Sequence, residues 1–175
     1  MFDFLKPDEF YESIDKVDFK SLKEKGFENI LIDLDNTLIG WRQWEIHDYV
    51  LDTIKKIKEM GFRVLIFSNA RKNRVEESAK RLGIDEYIYS AKKPLLIGFK
   101  KVIENRGLDA SKSVIIGDQL LTDVFGGKRA RFYTIWLVVP INRKFWRVKI
   151  IKKFENFVLR KWDVFNKKGR NGRND

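Results

Sequence analysis

The sequence contains no cysteine and a single histidine, His47. The first absence excludes disulfide frameworks, thiolate zinc sites and cysteine nucleophiles. The second excludes His-rich metal sites and the usual Ser–His pairing. What remains for chemistry is carboxylate, hydroxyl, amine and backbone amide. A run of about 18 apolar residues is also lacking, so nothing reads as a bilayer span. The first ten residues, MFDFLKPDEF, include acids and no apolar stretch, unlike a secretory signal. Internal repeats and low-complexity tracts are absent. A cysteine-free chain leaves the redox compartment open, and it sits comfortably in the reducing cytoplasm expected here.

What is present is one ordinary domain: 175 residues, 43% of them hydrophobic, enough for a sizeable core. The net charge of +11 is unevenly spread. Residues 141–175 hold twelve basic and three acidic side chains, whereas residues 1–140 hold 24 against 22. A nearly neutral body thus carries a cationic appendage, which points to an anionic surface, lipid or nucleic acid.

Hydrophobic periodicity predicts short helices around Asp8–Ile14 and Asp18–Lys25, then a buried strand in NILIDLDNTL that ends at Asp33–Asp35. Helices over His47–Met60, Arg71–Leu82, Leu95–Asn105 and Asp118–Ala130 alternate with strands at Phe62–Phe67, Tyr87–Tyr89, Ser113–Ile116 and Arg131–Val139. Alternation with short turns implies an α/β fold, a Rossmann-like, doubly wound parallel sheet with right-handed crossovers. In such sheets the site forms at the carboxyl ends of the strands. Asp33, Asp35, Ser68, Lys93, Asp118 and Asp123 all follow a strand, so polar groups from four loops should converge on one rim.

Each piece has a plain structural alternative. Acids commonly decorate strand ends, and Asp118 and Asp123 could simply cap a helix. Together, however, four carboxylates on one rim repel unless a hard cation lies among them. An all-oxygen donor set suits Mg²⁺.

DLDNTL, Ser68, the Lys93 of AKKP and GDQLLTD resemble motifs I to IV of the haloacid dehalogenase (HAD) superfamily, in order, over roughly residues 29–139. YSAKKP with GDQLLTDV and TIWLVVP is similar to the narrower YqeG-type phosphatases of subclass IIIA, whose relatives include phosphatidylglycerophosphatases. The resemblance implies Asp33 as a nucleophile forming an aspartyl phosphate and Asp35 as the general acid and base. It implies Mg²⁺ held by Asp33, Asp118 and the Asp35 backbone carbonyl, with Asp123 fixing a metal-bound water or Asp118 itself. Lys93 would neutralise the phosphoryl group and orient Asp33, and Ser68 would hold phosphoryl oxygens. Asn69 could contact phosphate or merely cap its turn. Asn36 and Thr37 are as well suited to turn hydrogen bonds as to substrate. Lys92 reads as a solvated charge and His47 as a surface residue. Trp41, Arg42 and Trp44 fall in the segment that forms a flap in this superfamily.

Neither the interval from Asp35 to Ser68 nor that from Ser68 to Lys93 has room for a separate cap domain. An open site suits phosphates carried on large objects. Residues 141–166 read as a basic amphipathic helix, with an apolar stripe through Phe145, Phe154 and Trp162 among lysines and arginines. That stripe fits a membrane interface, and it equally fits docking on the sheet. Residues 167–175 read as a disordered tail.

The expected activity is a Mg²⁺-dependent phosphomonoesterase acting on phosphatidylglycerophosphate, peripheral on the inner face of a membrane (the matrix side in a mitochondrion). The alternatives are a phosphatase of nucleic-acid ends or phosphoproteins, or an RNA- or ribosome-binding module with a vestigial site.

Overall fold

The computed structural model describes residues 3–138. The helix expected over 141–166 and the tail over 167–175 lie outside the described residues. Six strands form the sheet: β1 (Glu9–Tyr11), β2 (Asn29–Ile32), β3 (Arg63–Phe67), β4 (Glu86–Ile88), β5 (Ser113–Gly117) and β6 (Tyr133–Leu137). All pairings are parallel, in the order β1-β6-β5-β2-β3-β4. Helices α1 (Phe19–Glu24), α2 (Asp48–Glu59), α3 (Lys72–Leu82), α4 (Leu96–Arg106) and α5 (Gly126–Arg129) cover the two faces.

Strand alternation sorts the core into two layers. Ile30 and Ile32 of β2 pack on one face with Phe19 and Leu22 of α1, Val50, Ile54 and Ile57 of α2, and Val75 and Leu82 of α3. Leu31 turns to the other face, with Phe99 and Val102 of α4 and Phe132. Each such side chain, fully buried, contributes roughly 1.5–3 kcal/mol. The helices lie where their i, i+3, i+4 apolar positions meet these layers. Gly83 closes α3 in the left-handed region, at φ 65°.

β2 and β5 are neighbours, but their chains leave in opposite directions. β2 feeds α2 on one face and continues outward to β3; β5 feeds α5, on the α4 face, and continues to β6. This is the switch point, where a crevice opens at the carboxyl ends. The β2–α2 connection contains only a bridge between Asp35 and Ile39, so no cap domain is inserted there.

Two local expectations are corrected. Asp8–Ile14 is not a helix: Glu9–Tyr11 is an edge strand paired with β6. Its placement is set by distant partners, with Thr134 N–H and Oγ1 both donating to Asp8 Oδ2 at 2.8 Å. Nor is Asp118–Ala130 one helix. A π-helical turn over Leu120–Phe125 precedes the short α5 and directs Leu120, Asp123 and Val124 inward. α5 then rests directly on β5, where a Cβ at Gly127 would lie 2.5 Å from Ile115 Cγ2.

Candidate active site

The four loops meet at the switch-point crevice. Asp33 extends the β2 ladder by one bond, its N–H donating to Ile116 O at 2.9 Å, and projects at the rim. Lys93 comes from the β4–α4 loop and lies between two carboxylates. Its Nζ donates to Asp33 Oδ1 at 2.8 Å and to Asp123 Oδ1 at 2.6 Å. All three side chains are buried. Carboxylate oxygens of Asp33, Asp118 and Asp123 lie within 4.8 Å of one another.

Each group is held by the local chain. Asp123 Oδ2 accepts from Gln119 N–H at 3.1 Å. Its position requires a glycine beneath it, because a Cβ at Gly117 would fall 2.3 Å from the Asp123 carboxyl. Asn36, at φ 65°, donates from Nδ2 to Asp118 Oδ2 at 2.9 Å while its Oδ1 accepts from Trp41 N–H at 3.1 Å. That single residue couples Asp118 to the start of the flap. From below, buried Trp136 donates Nε1–H to Asp118 O at 3.0 Å.

Burial disfavours the charge on Lys93, but the Asp123 and Asp33 carboxylates more than offset this and hold its pKa well above the usual lysine value. Burial also pushes Asp123 up; Lys93 pulls it down, Asp33 pushes it up again, and the net is a raised value. A permanent ammonium therefore already balances part of the cluster.

The structure separates the fourth acid from the other three. Asp35 Oδ1 accepts from Arg74 Nε at 2.9 Å and Nη2 at 2.7 Å, and its carboxylate is not in the three-acid group. Arg74 also donates to Gln43 O at 2.8 Å and Gly40 O at 3.1 Å, and stacks over the Trp44 ring. It thus ties Asp35 to the flap. Sequence reasoning missed Arg74. Its position in the first turn of α3, at the same edge as Ser68, was the available signal.

Asn69 and Ser68 also differ from a simple phosphate-grip picture. The Asn69 amide is paired on both sides with the Lys93 backbone: Nδ2 donates to Lys93 O at 2.9 Å and Oδ1 accepts from Lys93 N–H at 2.8 Å. Ser68 is buried, and its Oγ accepts from Ala70 N–H at 3.2 Å. Its carbonyl accepts from Ala91 N–H at 3.0 Å, which laces the β3 loop to the lysine loop. Lys92 is exposed, as expected, and His47 precedes α2 with its ring stacked on Tyr49.

The donor set fits a small hard cation. Three carboxylates within reach of one another, all oxygen, match a Mg²⁺-type site that keeps several waters. Beside it, one lysine and the loop amides can meet a phosphoryl group. An uncapped α/β core that brings an aspartate, a bridging lysine and this acidic cluster to one crevice is suited to phosphoryl transfer.

The chain belongs to the haloacid dehalogenase-like hydrolases, whose family model matches residues 4–131. Within that family it is a phosphatase. It is 41% identical over 138 residues to the Bacillus subtilis protein named "Probable phosphatase YqeG", covering 79% of each chain. It is 28% identical over 171 residues to phosphatidylglycerophosphate phosphatase 1, chloroplastic/mitochondrial, of Arabidopsis thaliana. That match covers 91% of this chain and 48% of the relative, so the chain spans about half of the plant protein. Among solved structures, the Bacillus subtilis HAD-hydrolase YfnB bound to magnesium superposes with a TM-score of 0.57 at 15% identity, covering 63% of this chain and 86% of that one. This last likeness concerns the fold.

Proposed function

We propose that the protein is a Mg²⁺-dependent phosphatase that converts phosphatidylglycerophosphate to phosphatidylglycerol at the inner, cytoplasmic face of a membrane. The observation that carries the catalytic part is the buried Lys93 bridge between Asp33 and Asp123, with Asp118 alongside. The lipid part is supported by likeness to the plant enzyme along most of this chain, by the open site and by the cationic residues 141–175.

Asp33, Asp118 and Asp123 would hold the ion, and a bound Mg²⁺ supplies charge neutralisation at the phosphoryl oxygens. An Asp33 carboxylate oxygen attacks phosphorus and the bond from phosphorus to the ester oxygen breaks. Asp35, once released from Arg74 and protonated, gives its proton to the departing glycerol oxygen. The resulting aspartyl phosphate is then cleaved by water. Asp35 takes the water's proton as its oxygen attacks phosphorus, and Asp33 leaves as a free carboxylate. Lys93 keeps Asp33 aimed and offsets the negative charge that a carboxylate meets on approaching phosphate. Asn69 fixes the Lys93 backbone, and Arg74 keeps Asp35 on the flap between turnovers.

The test is phosphate release from phosphatidylglycerophosphate, sugar phosphates, nucleotides, phosphopeptides and phosphorylated RNA ends, each with Mg²⁺ and with chelator. Preferential, Mg²⁺-dependent release from the lipid supports the reading. Preference for RNA ends or phosphopeptides replaces the lipid with that substrate class.

A further inference from the structure

The two edges of the sheet are unequally dressed. Of the nine large apolar side chains exposed among the described residues, only Phe4 and Phe10 lie away from the carboxyl edge. The others follow a strand's carboxyl end or sit in the first turn of the next helix. They include Trp44 on the flap, Leu95 and Ile97 beside the lysine loop, and Leu121 beside Asp123, with relative exposures of 47, 55, 63 and 51%. These residues come from three separate loops, so their shared position is a property of the edge rather than of one segment. Solvent-exposed leucine and isoleucine around a charged pocket contribute nothing to the chemistry described. Exposed apolar side chains gathered at one edge point to an interaction surface.

Charge at the same edge is mixed: Lys16, Arg42, Arg71, Lys72 and Lys92 are exposed there beside the acids Glu12, Asp15, Glu45 and Asp48. The described residues end at Val138, one residue past β6, and the parallel pairing of β6 puts that end at this edge. The sequence that follows holds the twelve basic and three acidic residues of 141–175. Exposed apolar side chains at one edge, followed in sequence by a strongly cationic stretch, match an anionic bilayer, whose headgroups take the charge and whose acyl boundary takes the leucines. Nucleic acid would meet the cations but leave Leu95, Ile97 and Leu121 without an apolar partner.

We propose that the carboxyl edge of the sheet is itself the membrane-contact surface, seated on an anionic phospholipid bilayer through Trp44, Leu95, Ile97 and Leu121. The inference rests on the lipid reading of the substrate and adds the orientation. The crevice faces the bilayer, so a headgroup phosphate meets Asp33 without leaving the membrane plane, and no cap is needed to exclude water.

The absence of cysteine allows a direct test on the full chain. Single cysteines at Leu95→Cys, Leu121→Cys and, on the opposite edge, Lys112→Cys are labelled with an environment-sensitive fluorophore. Each protein is mixed with vesicles of phosphatidylglycerol and phosphatidylcholine, or with RNA. Labels at 95 and 121 should shift to the blue and be quenched by spin-labelled lipid, while the label at 112 stays unchanged. Leu95→Ser with Leu121→Ser should weaken high-salt vesicle binding by about tenfold or more, because removing one leucine-sized contact already changes an equilibrium that much. Hydrolysis of a soluble aryl phosphate by that variant should be unchanged, which also reports that it folds. No shift at 95 and 121, an equal shift at 112, or a response to RNA alone would overturn the proposal. Hydrolysis of a short-chain phosphatidylglycerophosphate, kept monomeric, requires no bilayer. Its failure would refute the substrate reading whatever the labels do.

Discussion

At the amino edge of the sheet, charges are paired across the surface. Lys112 meets Glu28 at 2.7 Å, Arg63 meets Glu86 at 2.6 Å and Lys25 meets Glu9 at 2.7 Å. At the carboxyl edge a cluster of charges is buried: Lys93, Asp33, Asp118 and Asp123 sit together in the crevice, beneath exposed apolar and charged side chains. One chain thus treats ionic groups in two ways. Exposed pairs contribute little and tolerate loss, since solvent screens them. Buried ionic groups are costly to desolvate and persist only when satisfied, and losing one partner is severe. The contrast shows which edge is organised for chemistry and which for solubility.

The largest expected effect lies in turnover. Asp33→Asn removes the attacking carboxylate and should lower kcat by at least about 10³-fold. Glu28→Gln at the opposite edge should leave kcat within about twofold. Steady-state phosphate release checks both, and comparable losses at the two edges would erase the contrast.

Next comes stability. Lys93→Met strands Asp33 and Asp123 without their shared ammonium and should cost about 3–5 kcal/mol, read by denaturant unfolding. Adding Asp123→Asn to that variant should recover part of the loss. If the double variant is no more stable than the single, the Lys93–Asp123 contact is not what holds the cluster.

Arg74→Met should act through position. Without the guanidinium, the flap residues Gly40 and Gln43 lose their anchor and Asp35 loses its partner. We expect faster proteolysis within residues 40–47. We also expect a larger rate loss on alkyl than on aryl phosphates, because an alkoxide leaving group depends more on the acid. Equal losses on both substrates would leave Arg74 with only a flap-holding role.

The smallest effect belongs to the amino edge and depends on pH. The Arg63 guanidinium holds the Glu86 carboxyl below its ordinary range. A depressed carboxylate adds stability above its unfolded pKa, and that increment fades as pH falls through the folded value. Glu86→Gln should therefore cost at most about 1 kcal/mol at neutral pH, the pair being partly exposed. Its difference from wild type should shrink in acid. A difference that grows on acidification would contradict the assignment.

How much of this was legible in the sequence follows the same division. Strand ends carrying Asp33, Ser68 and Asp118 could be read because buried runs stop there abruptly, and their α/β alternation gave the parallel sheet. The edge strand Glu9–Tyr11 could not be read, since its partners lie in β6, more than a hundred residues later. The π-helical turn was hidden because apolar spacing alone does not separate it from a regular helix; the following glycines record close packing, Gly126 on Phe99 and Pro94 and Gly127 on Ile115 of β5. The separation of Asp35 from the other acids needed Arg74, a residue whose relevance appears only when α3 is set beside the flap. Asn69 had the right neighbourhood but two possible duties. The structure shows its amide engaged on the Lys93 backbone.

The central claim is that the carboxyl edge removes phosphate from a membrane lipid by way of Asp33. The measurement that reaches it most directly is kcat/KM for phosphatidylglycerophosphate in anionic vesicles, beside sugar phosphates and nucleotides, for wild type and Asp33→Asn with Mg²⁺ present. The account predicts that the lipid gives the highest value with wild type and that Asp33→Asn loses it by at least about 10³-fold. A higher value for a soluble phosphate, or substantial lipid hydrolysis by Asp33→Asn, would contradict it.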